Sequence, residues 1–270
     1  MKSGLVVLSE PALGCYPFIE SITSFLPVVD EMVVAFNVYG KDDGSRKKVE
    51  ALGEKIRIIP TVFDIQKYGW ITYGIARTMG YQACKGDVVL MFDADGVLHE
   101  KDHETLAREV DEFSNNPNMP TGFWEKYRIY QPTCYYNQHK HSGIYNKGIL
   151  KDRFDFLRSD RKGAPNFERL KPEEGRSKKF SVTLFGYEHL WDTREVLEYK
   201  VNRYGRMLDG LHGSPFRTPE EYFGTYMDDL MKNLRNKRKS MRIEEHPQIM
   251  QGKLKEINET HFGHNFFGWK

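Results

Sequence analysis

Short apolar runs alternate with amphipathic stretches along the first 115 residues. Leu5-Val6-Val7-Leu8 reads as a buried strand whose exit carries Pro11 and Gly14. Residues 18–26 hold apolar side chains at helical spacing and stop at Pro27. A second strand is predicted at 32–36, followed by a turn-rich segment that contains Asp43-Gly44-Ser45. A short polar helix over 47–52 leads to a third strand at 56–59, closed by Pro60. The spacing predicts a longer helix over 71–83 and a strongly apolar fourth strand over 87–92, which runs into Asp93-Ala94-Asp95-Gly96. A helix over 101–113 follows, acidic in its first turn. Strands alternating with helices imply an α/β fold, a mainly parallel sheet with helices on both faces.

Beyond residue 120 the pattern is less regular. Aromatic strings such as Gly122-Phe123-Trp124 and Cys134-Tyr135-Tyr136-Asn137 interrupt it, and the clearest element is a helix over 193–208 opened by Asp192 as N-cap. Tyr145-Asn146-Lys147 stands out without a role. The tail, with His261, His264 and Trp269, is too aromatic for a free polar end and is expected to pack back onto the body.

Charge changes with the pattern. Residues 1–125 carry 12 Lys and Arg against 19 Asp and Glu, whereas residues 126–270 carry 28 against 19. The balances of −7 and +9 imply that the two halves face different partners. Lys232, Arg235, Lys237, Arg238, Lys239 and Arg242 fall close together; they read either as a solvated face or as a contact for an anionic acceptor or membrane surface. No apolar run approaches the roughly 18 residues of a membrane span. The four-residue apolar core near Met1 is too short for a secretory leader. Cys15, Cys84 and Cys134 lack metal-ligand spacing and read as reduced thiols. A cytoplasmic protein is expected, with the basic half available to the inner face of a membrane.

The informative chemistry is Asp93-Ala94-Asp95 after the fourth apolar strand. Ligands of open α/β sheets bind outside the carboxyl ends of strands, so both carboxylates are expected at the binding edge. Such a pair needs a positive partner, and Mg²⁺ or Mn²⁺ bridging nucleotide phosphates would supply it.

In this order the residues resemble the family-2-like glycosyltransferases of the GT-A fold. The resemblance covers roughly 4–115: the opening strand, the segment from Glu20 through Pro27 to Val34, the Asp43-Gly44-Ser45 turn, and Ala83-Cys84-Lys85-Gly86-Asp87 running on to His99. The change in pattern and charge puts a boundary near residue 120, and with it the resemblance implies a nucleotide-sugar-binding part over 1–120 and an acceptor-binding part over 121–270, within one continuous GT-A domain. It also implies a nucleoside-diphosphate sugar, UDP- or GDP-linked, as donor. Ser9, Glu10 and Asn37 match positions that hold the nucleoside, and Arg77 a donor-facing position before the metal strand. Asp93 would contact ribose or metal, and Asp95 would be the main metal ligand. The chain departs from the pattern at Gly96, where many relatives have a third acid, and at Asn37, where an Asp is usual. Phe185-Gly186-Tyr187-Glu188-His189-Leu190-Trp191 is a second echo, implying His189 as a further metal ligand, with Tyr187 competing for the position. An inverting transfer needs a base in the acceptor half. Asp155, Asp160, Glu168 and Glu188 are available, with Glu188 and Glu168 the leading pair.

Two other classes stay open. A nucleotidyltransferase would carry a basic Gly-rich loop after the first strand, and Ser9-Glu10-Pro11-Ala12-Leu13-Gly14 has no basic residue. A nucleic-acid-binding or -modifying protein would use the basic second half, against repulsion from the acidic first.

Overall fold

The computed structural model describes residues 1–69, 71–116, 119, 121–146, 177–212, 221 and 238–264. In the first half, β1 (Lys2–Leu8), β2 (Glu31–Asn37), β3 (Ile56–Thr61) and β4 (Val88–Met91) lie parallel in the order β3-β2-β1-β4. The connecting helices are α1 (Phe18–Phe25), α2 (Ser45–Glu50), α3 (Ile65–Tyr68), α4 (Ile71–Ala83) and, after β4, α5 (His103–Ser114). The parallel α/β expectation therefore holds.

Strand alternation explains the layering. Leu5 faces one side with Val33, Ala35, Val89 and Met91, packed against Tyr81 of α4. Val6 and Leu8 face the other side, where Phe18, Ile22 and Phe25 of α1 meet Leu106, Val110 and Phe113 of α5. Removing each of these large side chains from water contributes roughly 2 kcal/mol. Helices thus cover both faces and leave the carboxyl ends of β1, β2 and β4 together at one edge.

The second half departs from the irregular reading. β5 (Gly96–Leu98), β6 (Thr121–Gln131), β7 (Cys134–Asn146) and β8 (Ser177–Gly186) extend the sheet as β4-β7-β6-β8-β5. β7 is antiparallel to β4 and β6, while β8 is parallel to β6 and antiparallel to β5. The period-two signal was obscured because one inward position of β6 is Lys126, beside buried Gly122 and Trp124.

Helix α6 (Arg194–His212) occupies the predicted place, but Asp192 does not cap it. The Thr193 hydroxyl oxygen accepts from Val196 N at 3.4 Å, while the Asp192 carboxylate turns inward to Lys200 and His189. A short β9 (Lys239–Ser240) pairs with β7, and α7 (Gln248–Leu254) follows. The tail folds back: Phe262 N donates to Asp192 O at 2.9 Å and Gly263 N to Leu190 O at 3.0 Å. His261 Nδ1 accepts from Asn258 N, so this ring closes a turn. Trp269 lies outside the described residues. Among the described residues no helix is long and apolar enough to cross a membrane.

Candidate active site

The loops after β1 and β2 meet. Asn37 Nδ2 donates to Ser9 Oγ at 3.0 Å, and Asn37 Oδ1 accepts from Tyr39 N. Glu10 sits at φ 50, a left-handed conformation uncommon outside glycine and concentrated at functional sites. Its carboxylate accepts from Lys41 N at 2.7 Å and from the Tyr199 hydroxyl of α6 at 2.6 Å. Burial and this contact push the Tyr199 hydroxyl up to about 12, so it stays a donor at neutral pH. Arg203, one turn further along α6, donates to Ser9 O at 2.8 Å and lies over the Phe63 ring. Asp43 accepts from Ala12 N and Ser45 N, which gives it a loop-bracing role.

Asp93 and Asp95 stand on the turn between β4 and β5. Helix α1 pins that turn, because the Ser21 hydroxyl lies 3.1 Å from Asp93 O and 2.7 Å from Gly96 O. Asp95 O accepts from Tyr187 N at 3.0 Å, and Gly96 is in register with Gly186. The turn is therefore tied to the end of β8, which brings the Tyr187–His189 motif beside it.

The charge arrangement at this turn was not legible in sequence. Lys126 Nζ donates to both carboxylate oxygens of Asp95, at 3.0 and 2.8 Å, and stands 3.9 Å from Asp93 Oδ2. Lys126 and Asp95 are 3 % and 6 % exposed. Arg77 of α4 donates to Asp93 Oδ1 at 3.1 Å.

His189 is fully buried and its Nδ1 lies 2.8 Å from Asp192 Oδ2, a carboxylate that also accepts from Lys200 at 2.7 Å. Among the described residues no three His, Cys, Asp or Glu side chains are grouped to hold a metal ion. Asp93, Asp95 and His189 are not grouped as one such set there, and an Asp192–Lys200 network holds the imidazole. Tyr187, its competitor, is buried with its hydroxyl 2.9 Å from His246 Nδ1.

Glu188 accepts from Arg128 at 2.6 Å. Burial alone would push its carboxyl up, but the charges of His189, Arg128, Lys126 and Lys200 outweigh this and hold it at about 2. A carboxylate so held is a weak base. Glu168, Asp155 and Asp160 lie outside the described residues, as do Lys147, Lys232, Arg235 and Lys237. Sequence reasoning missed Lys126, Arg128, Tyr199 and Arg203, and read Asp192 only as a helix cap. Only the inward position of Lys126, two residues from Trp124 on a strand, carried any trace of its role.

Residues 28–164 match the description glycosyl transferase family 2. Among solved structures, S. aureus TarS 1-349 in complex with UDP-GlcNAc is 14% identical with a TM-score of 0.48, over 83% of this chain and 73% of that one. TarS 1-349 is also matched at 12% identity and a TM-score of 0.47, over 84% and 73%. A nucleotidyl transferase from Methanothermobacter thermautotroptrophicus is 15% identical with a TM-score of 0.40, over 86% and 99%. No curated protein matches the chain. The family match covers just over half of the sequence and takes in Asn37, Arg77, Asp93, Asp95 and Lys126, so the chain belongs to glycosyl transferase family 2 and is a glycosyltransferase.

Proposed function

We propose that this glycosyltransferase moves a sugar from a nucleoside-diphosphate sugar, UDP- or GDP-linked, to a saccharide or other anionic acceptor. The observation that carries the reading is the convergence of Ser9, Glu10, Asn37, Arg77, Asp93 and Asp95 at the carboxyl edge of β1, β2 and β4, in a family 2 chain. The nucleoside would lie against Ser9, Glu10 and Asn37, and the diphosphate near Asp93 and Arg77. The acceptor would approach from the second half, whose balance of +9 suits an anionic molecule or the inner face of a membrane.

The transfer breaks the bond between the anomeric carbon and the diphosphate. The acceptor oxygen forms the new bond as a base removes its proton, and the nucleoside diphosphate leaves. Arg128 already neutralises Glu188, so Glu188 serves better to hold charge than to take a proton; Glu168 remains the alternative base. The Mn²⁺ or Mg²⁺ expected from sequence would compete with Lys126 for both oxygens of Asp95. As they stand, these residues do not fit a resident divalent ion.

The test incubates the protein with UDP- and GDP-sugars, in EDTA and in Mn²⁺, and measures nucleoside diphosphate released. Release from one donor supports the reading. Pyrophosphate released from a nucleoside triphosphate and a sugar phosphate would make the protein a nucleotidyltransferase. A thermal shift with short DNA, and none with UDP or GDP, would favour nucleic-acid binding.

A further inference from the structure

We infer that Lys126 is the resident cation of the Asp-x-Asp centre, so that this transferase holds its donor diphosphate without a divalent metal. The inference rests on the donor reading above and adds how the diphosphate charge is met.

Three observations converge. The first is occupancy: the Lys126 ammonium group bonds both oxygens of Asp95 and stands between Asp95 and Asp93. A hard divalent ion would need those same oxygens at roughly 2.0–2.6 Å. It would have to displace, or crowd against, a positive group already within hydrogen-bond distance.

The second is a slot built for the side chain. A Cβ at Gly186 would lie 2.1 Å from Lys126 Cε and 3.2 Å from its Nζ. Gly186 is in register with Gly96 on one side and Arg128 on the other. Lys126 therefore reaches Asp95 by crossing β8 at the one residue there that has no side chain to block it.

The third is charge balance. Arg77 covers Asp93 Oδ1, so two carboxylates meet two fixed cations. The position where a third acid is usual holds Gly96. A diphosphate approaching bare carboxylates is repelled. Here the carboxylates instead orient an ammonium and a guanidinium, donors suited to phosphate oxygens. Asp93 is 37 % exposed at its side chain, which opens the pair to a ligand from the loop side.

The experiment measures UDP and GDP binding by calorimetry in EDTA and in Mn²⁺, with Mn²⁺ followed separately by electron paramagnetic resonance. Wild-type protein is expected to bind one nucleotide in EDTA within about two-fold of its affinity in Mn²⁺, and to leave Mn²⁺ free in solution. Lys126→Ala is expected to lose about ten-fold or more of that affinity in EDTA and to gain a bound Mn²⁺ signal, because the carboxylates are then uncovered. Wild-type binding that appears only with Mn²⁺, alongside a bound Mn²⁺ signal, would overturn the inference and leave the transferase reading intact. Absence of nucleotide binding under every condition would overturn both. Should Lys126→Ala fail to fold, the two wild-type measurements still decide.

Discussion

At the scale of single residues the site is a set of charges whose meaning depends on burial. Asp95 looks from sequence like an exposed turn residue, yet it is buried against Lys126. Removing one partner of a buried ion pair costs about 3–5 kcal/mol, because the other charge is left unpaired. Asp95→Asn is therefore expected to lower the melting temperature as well as turnover, the latter by roughly 100-fold or more. Adding Lys126→Met should restore much of the stability and none of the turnover. An unchanged melting temperature in the single variant would mean that the pair is not a buried one. Glu188 makes a second prediction. Its folded-state carboxyl is held at about 2, below the ordinary 4.5, so between those values the unfolded chain binds the proton and the folded chain does not. Stability from this group is present above pH 4.5 and is lost as pH falls towards 2, on the order of 3 kcal/mol in all. Urea midpoints across that range should show a flatter acid limb for Glu188→Gln than for wild type.

At the scale of elements, α1 acts as a ruler for the Asp-x-Asp turn. Its apolar face seats it: Phe25 stacks on Phe92 with ring centroids 3.9 Å apart and also meets Trp124 of β6. Its polar face then carries Ser21 to the carbonyls of Asp93 and Gly96, and Ser24 to the amide of Leu98. One helix thereby couples core packing to the position of both carboxylates. Ser21→Ala should cost only about 1–2 kcal/mol of stability, since one hydroxyl bond is lost and no large cavity forms. Catalysis should suffer more, because misplacing a binding group by about 1 Å can lower rates about 100-fold. The ratio of kcat/KM loss to melting-temperature loss checks this. A Ser21→Ala enzyme with wild-type kcat/KM would show that the turn holds itself.

Across the whole molecule, the acidic half carries the edge with Asp93 and Asp95, and Lys126 and Arg203 from the basic half join Arg77 there. The remaining positive charge is the basis for an anionic acceptor. Raising ionic strength to the physiological range shortens screening to about 8 Å. Acceptor KM should therefore rise with salt while buried donor contacts persist. Neutralising Arg235, Lys237, Arg238 and Lys239 should raise acceptor KM and leave donor KM alone. Equal effects on both would assign the run to folding, and no effect on either would make it solvated surface.

The sequence by itself determined the alternating first half, the parallel sheet and the place of Asp93 and Asp95. Those features follow from local periodicity: apolar runs of strand length, helical spacing, and turn residues between them. What surrounds the two carboxylates was decided only in three dimensions. Lys126 lies 31 positions from Asp95, and their meeting depends on β8 pairing with both β5 and β6 and offering Gly186 at the crossing. The Asp192 carboxylate looked like a helix cap because local rules see only its neighbours along the chain. Buried Lys200 and His189 claimed it instead, since an unpaired buried charge costs far more than a cap contributes. Charge pairing in a buried site is long-range in sequence, and no period along the chain records it.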